Sequence, residues 1–176
     1  MRPIRLAAWG LCLATVAIAA AAWPDLPDPI PTHLGPDGQP DGWSARSLSA
    51  WFLMPALAIA LQGLMVVVGR VALANPQHIN IPDKERLLAL PPRFRAPVLA
   101  TVAGFLDLVA LGVAVLLAAL QWQFTEVALG RHGVPPVVLF LAPGLLVIVL
   151  AFGIARMTGA VDSAHRAWKE AGAPPS

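Results

Sequence analysis

Four long apolar runs dominate this chain: Leu6 to Trp23, Leu48 to Gly69, Pro97 to Leu120 and Val134 to Ala155. At about 1.5 Å of rise per residue, the shortest of them spans roughly 27 Å as a helix, close to the hydrocarbon thickness of a bilayer. Backbone amides in hydrocarbon have no water to bond, so each run must satisfy its own and cross as a helix. Water is the wrong solvent for such a chain: 57% of its residues are hydrophobic and 12% charged, about half the charged share of a soluble domain. The expected fold is all-α, an integral membrane four-helix bundle with a Pro/Gly/Asp-rich extracytoplasmic loop.

The flanks of the runs set their ends and their direction. Arg2 and Arg5 precede the first, Arg70 follows the second, and Arg156 stops the fourth before a short polar tail. Pro97 suits the first turn of the third helix, as Pro135 and Pro136 suit that of the fourth. Arg2, Arg5, Arg70, Lys84, Arg86, Arg93, Arg95, Arg156, Arg166 and Lys169 share one side, against Arg46 and Arg131 on the other, which accounts for all 12 basic residues. Short basic loops stay in the cytoplasm, so both termini are expected there, in a multi-pass protein of the inner (plasma) membrane. Trp23, Trp43, Trp51 and Trp122 then fall near the outer boundary and Trp9 near the inner one, where indoles prefer to lie. A basic start followed by Ala19 to Ala22 also suits a cleavable signal peptide. The run exceeds the usual apolar core of such peptides, roughly 7 to 15 residues, so the helix is expected to be retained. Basic residues that flank apolar runs do not point to nucleic acid, and the single cysteine, Cys12, permits no intrachain disulfide.

Two divisions follow. Residues 1–47 hold the first helix and the Pro/Asp-rich loop; residues 48–176 hold three further helices, a basic cytoplasmic loop (70–96) and a short cytoplasmic tail. Within 70–96, Asn80 can cap a short interfacial helix, with Pro82 and Asp83 in its first turn. Leu87, Leu88 and Leu90 give it an apolar side opposite Lys84 and Arg86, and Pro91 and Pro92 end it. The segment reads as an anchoring connector, or as a docking surface that meets lipid headgroups through Arg93 and Arg95.

The stretch from Pro24 to Trp43 is too rich in Pro and Gly for a helix, so it must alternate extended pieces with tight turns. Pro36-Asp37-Gly38 and Pro40-Asp41-Gly42 both have turn chemistry. Leu26, Pro27, Ile30, Pro31, His33, Gly38, Asp41 and Gly42, with Arg46 where relatives often have lysine, resemble the signature of the bacterial membrane family called domain of unknown function 1648. Leu34 departs from an often aromatic position, and Asn80-Ile-Pro-Asp-Lys-Glu-Arg is similar to the cytoplasmic loop of multi-span members. Some relatives join this domain to the membrane region of immunity proteins that protect cells from a secreted peptide toxin and capture a transcriptional repressor. Those proteins carry further spans, so the resemblance does not carry their activity here.

His33 lies in sequence among Asp25, Asp28, Asp37 and Asp41, and His33, Asp28, Asp37 and Asp41 form the candidate binding set of the loop. Imidazole with carboxylates can hold zinc or another divalent ion, with His33, Asp37 and Asp41 as the candidate ligands. The spacing matches no EF-hand, and the alternative is that His33 bonds loop carbonyls while the aspartates cap turns. Asp107 is the one ionisable residue deep in a span, about ten residues or roughly 15 Å from the inner end of the third helix. Gly104, Leu111, Ala114 and Ala118 place it on a small-residue face suited to helix packing, and Thr15 and Gln62 at similar depth are candidate partners. It reads as a proton or cation site, or as a protonated interhelical hydrogen bond. Pro143 should kink the fourth helix, while Glu126 and His132 are expected to be solvated and His78 and His165 to stand alone.

No phosphate cradle, HExxH, CxxC or nucleophile elbow is present, so neither an enzyme nor a cofactor is expected. The partners expected are the lipid bilayer and an extracytoplasmic peptide, protein or ion; homo-oligomers are compatible with the small-residue faces. Two functions remain open. One is a recognition, sensing or immunity-like module of the envelope, and the other a small proton- or ion-coupled transporter or channel subunit using Asp107.

Overall fold

The computed structural model describes residues 3–131 and 136–172; Arg2, His132, Val134 and Pro135 lie outside them. The elements run α1 (Pro3–Ala22), a 3-10 turn (Trp23–Asp25), β1 (Ile30–Leu34), β2 (Pro40–Ser44), α2 (Leu48–Trp51), α3 (Leu53–Ala74), a 3-10 turn (Pro76–His78), α4 (Lys84–Ala89), α5 (Pro92–Ala128) and α6 (Pro136–Glu170). Among the described residues, four helices are long and apolar enough to cross a membrane: Pro3–Asp25, Leu53–Ala74, Pro92–Ala128 and Pro143–Glu170. The chain is a multi-pass membrane protein, and its described residues are mainly helical with one two-stranded antiparallel hairpin.

Several boundaries differ from those expected, each for a local reason. The second run is divided at Phe52 (φ −88°, ψ 10°), because Pro55 has no N–H to offer the carbonyl of Trp51, although Phe52 itself still bonds to Leu48 and Ala56. Ser47 caps the short piece, its Oγ accepting from the Ala50 N–H at 3.3 Å. The third helix starts at Pro92, so Pro97 is interior; the Pro91 carbonyl accepts the N–H groups of both Phe94 (3.0 Å) and Arg95 (3.1 Å) and starts the ladder. It also runs past Leu120 to Ala128, since Gln121, Gln123 and Thr125 are buried rather than solvated, and Gly130 (φ +67°) ends it in the left-handed conformation that suits a helix stop. The expected polar tail after Ala155 is helix through Glu170, and Pro143 lies inside this helix, which continues through it.

The residues group into two compact units, 1–63 with 110–146, and 64–109 with 147–176, which cut across the linear division at residue 47. The first holds two apolar cores. Ala8 and Cys12 of α1 pack with Ala58 of α3 and Ala114 and Leu117 of α5 in one; Ala19, Ala22, Leu26, Ile30, Trp51 and Ala128 form the other. The side chains in the first of these cores are mostly small, which lets backbones approach and the Cys12 thiol donate to the Ala58 carbonyl at 3.6 Å.

The second unit has one core, where Ile81, Leu87 and Leu90 meet Val98 and Val102 of α5 and Met157 and Val161 of α6. Helix α4 therefore buries Leu87 in protein, where an interfacial helix would lay it on lipid. Its start is Asp83, held at φ +56°, and not Asn80. Arg95 is no free headgroup ligand either: its Nη2 donates to the carbonyls of Leu88 (2.6 Å) and Leu90 (2.9 Å), the acceptors left open where α4 ends. Arg86 pairs with Asp162 at 2.7 Å, and His165, expected to stand alone, donates from Nε2 to the Arg86 carbonyl at 2.8 Å.

Candidate functional site

The hairpin is the feature that its Pro/Gly-rich sequence makes least like the rest of the chain. Its tip is Pro36-Asp37-Gly38, with the Gly38 N–H on the Gly35 carbonyl at 2.9 Å and the Gly35 N–H on the Gln39 carbonyl at 2.7 Å. Gly38 takes φ +78°, which completes a three-residue loop, a type I turn followed by a left-handed residue. Asp37 adds the expected local bond, its Oδ1 accepting from the Gln39 N–H at 3.0 Å.

The other expected turn, Pro40-Asp41-Gly42, is strand. With the chain already reversed at Gly38, Pro40 takes the first strand position, where its missing donor does no harm. Ile30 pairs with Ser44, Pro31 with Trp43, His33 with Gly42 and Leu34 with Pro40, with an irregularity on either side of His33. Gly42 is required by this approach, since a Cβ there would stand 2.8 Å from the Cβ of His33.

That pairing sets His33 beside Asp41, and the Nδ1–H of the imidazole donates to the carboxylate. Both side chains are open to solvent, at 70% and 56% exposure. The remaining acids go elsewhere: Asp37 serves the tip, Asp28 accepts the Arg46 N–H at 3.0 Å, and Asp25 sits in the 3-10 turn after α1. Among the described residues, no three His, Cys, Asp or Glu side chains converge as metal ligands would. The four-residue set is thus a pair with two structural acids nearby in sequence.

Arg46 locks the base of the hairpin. Its guanidinium donates to the carbonyls of Leu26 (2.7 Å) and Trp23 (2.6 Å) and lies over the Trp23 ring at 4.6 Å. A planar fork makes both bonds at once and stacks as well, which a lysine ammonium cannot do. The Trp51 indole N–H reaches the Ala19 carbonyl at 2.8 Å, and the ring is 4% exposed. Trp51 is therefore a core residue and not a member of the boundary belt.

Next to the hairpin, in the same unit, is a cavity of ≈ 270 Å³. Pro31 and Ser44 of the strands, Ala50 and Trp51 of α2, Met54 of α3 and Gln121 of α5 are among the residues that line it. Gln121 is 1% exposed, and its Nε2 has no hydrogen-bond partner among the described residues. An unpaired buried amide is rare in proteins because its desolvation goes uncompensated. Sequence reasoning stopped the third span at Leu120 and so missed it. The available signal was spacing: Ala103, Asp107, Ala110, Ala114, Leu117, Gln121, Thr125 and Ala128 are the buried positions of one α5 face, three or four residues apart.

The intramembrane polar residues belong to different units. Thr15 donates from Oγ1 to the Leu11 carbonyl at 2.8 Å, and Gln62 from Nε2 to the Ala110 carbonyl at 2.6 Å, both in the first unit. Asp107 is in the second, 4% exposed. Its face runs through Ala103 and Ala110; Gly104, Leu111 and Ala118 are only half-buried. Glu126, expected in water, is 14% exposed and paired with Arg131 at 3.3 Å.

Residues 10–59 match the family model described as Domain of unknown function (DUF1648). The match takes in most of α1, the whole hairpin, α2 and the first turns of α3, so the stretch similar to that family holds His33, Asp41, Arg46 and Trp51. Neither a curated protein nor a solved structure matches the chain.

Proposed function

We propose, on the premise that residues 10–59 are a DUF1648 domain within a multi-pass membrane protein, that this chain is a non-enzymatic recognition, sensing or immunity-like module of the bacterial envelope. The hairpin carries the binding surface, the helices anchor it, and its ligand is an extracytoplasmic peptide, protein or ion. In this reading the protein lies in the inner membrane with the hairpin outside and both termini inside, on the strength of the ten basic residues that flank the opposite ends of the spans.

The observation that carries the reading is a division of labour in the hairpin. Arg46, Trp51, Asp28 and Asp37 hold its backbone, whereas the side chains of His33 and Asp41 bond each other, with no further partner among the described residues, and face solvent. Polar groups that are ordered yet exposed are available to a partner. A photoreactive residue at Gln39 should capture a specific partner in native membranes, and His33→Ala should lose most of that capture while leaving the melting temperature in place. Equal capture by the variant would remove the pair from the binding surface. Reporter fusions at residues 40 and 85 test the orientation, and a shared compartment for both would end it.

Asp107, an acid 4% exposed within a span, supports a second reading, a small proton- or ion-coupled transporter or channel subunit, because ionisable side chains inside spans mark proton and ion pathways. Proton flux into liposomes that vanishes in Asp107→Asn would favour it over recognition.

A further inference from the structure

The cavity beside the hairpin asks for a specific kind of occupant. Its walls are chiefly apolar, from Pro31, Ala50, Trp51, Met54 and Phe124, and none of the residues that line it is charged. Thr32, Ser44 and Gln121 are its polar residues, and the Gln121 amide stands out: it is almost wholly buried, and among the described residues its Nε2 has no partner. The Trp51 indole, the other N–H donor of the wall side chains, is already committed to Ala19. Pockets for small ligands have this make-up, an apolar body with a few placed polar groups, at volumes from roughly 300 Å³. The occupant must supply one acceptor to Gln121 and an apolar body to the rest.

We propose that this cavity holds an acyl chain of a membrane phospholipid, with the ester carbonyl accepting from Gln121 Nε2. Three observations favour that source. Leu53, on the cavity wall, is 57% exposed, and Leu48 and Trp122, close to it in sequence, are 60% and 47% exposed, so the approach is over apolar surface such as lipid covers. Gln121 is the first residue after the apolar run that ends at Leu120, which in a crossing helix is the depth where hydrocarbon gives way to the ester layer. An extended peptide would bring an N–H for every carbonyl and need as many acceptors, while the unmet group here is a donor. The inference deepens the recognition reading and rests on it: a chain seated against Pro31, Thr32 and Ser44 contacts both strands, so the lipid present would bear on what the hairpin binds.

The test uses the full chain in vesicles of ether-linked dialkyl phosphatidylcholine, which has no ester carbonyl, doped with a trace of diacyl phosphatidylcholine bearing a diazirine in one chain. Crosslinks are expected on residues 50–54 and 121–124. Gln121→Met keeps the length and removes the donor, and should lower their yield about tenfold. The same variant should melt no lower than the wild type, since it removes an unpaired buried polar group. Ala50→Leu should abolish the crosslinks by filling the space. Equal labelling by a dialkyl diazirine probe, an unchanged yield in Gln121→Met, displacement by a free fatty acid, or no labelling of these segments would each overturn the proposal. Capture of a partner through Gln39 in native membranes involves no lipid probe, so the recognition reading can survive such a result or fail by itself.

Discussion

The two compact units are built from the same kinds of apolar helix, yet they use their polar groups differently. In the unit of residues 64–109 and 147–176, several charged side chains bond within the chain: Arg95 closes the end of α4, and Arg86 with Asp162 and His165 ties α4 to α6. In the unit of residues 1–63 and 110–146, Arg46 and Trp51 are spent in the same way, but His33 with Asp41 faces solvent and Gln121 lines a cavity without a partner. The lesson is that number of charges is a poor guide to where a membrane protein binds. The unit richer in cations spends Arg95 on its own carbonyls and Arg86 on Asp162, and the unit poorer in them keeps polar groups in reserve.

Substitutions can break that comparison, and the largest effect is expected at Trp51. Trp51→Ala removes a buried indole and its bond to Ala19, and should cost about 3–5 kcal/mol in reversible unfolding in detergent. A cost below about 1 kcal/mol would mean that the hairpin unit does not depend on this core. Next comes Arg46→Met, which leaves the carbonyls of Trp23 and Leu26 without their charged donor and should cost about 1.5–3 kcal/mol, with Arg46→Lys recovering only part. Full recovery by lysine would show that charge alone matters and not the fork.

The other unit supplies the matching test. A Cβ at Gly153 would overlap the ring of Phe105, so Gly153→Leu should destabilise by about 1–3 kcal/mol, and Phe105→Ala in the same chain should relieve part of it. The smallest effect belongs to the ion pair: a double-mutant cycle on Arg86 and Asp162, both about half exposed, should give about 0.2–1 kcal/mol, shrinking in high salt. A coupling well above that would make the pair a structural centre of its unit, contrary to its exposure.

How much of this could be read beforehand depends on how local the cause is. The tip at Pro36-Asp37-Gly38 was legible because three adjacent residues build it. Pro40-Asp41-Gly42 has equal turn chemistry but becomes strand, because only one reversal is needed and β1 offers a partner for the second segment. His33 was legible as a binding candidate, while its single acidic neighbour depended on register across the hairpin. Gln121 was hidden for a different reason: a polar residue after an apolar run looks like the start of a loop, and only packing on the α5 face keeps it in the helix.

The sequence alone determined the solvent, the number of spans and the reversal at Gly38, since hydropathy, length and φ preference are properties of short stretches and need no distant partner. Tertiary structure decided where each helix truly ends, which cations are consumed, and that Gln121, its amide nitrogen without a partner among the described residues, lines a cavity. Many of those outcomes rest on contacts between residues far apart in sequence, such as Arg46 with Trp23 and Arg86 with Asp162, and no local preference encodes a distance across space.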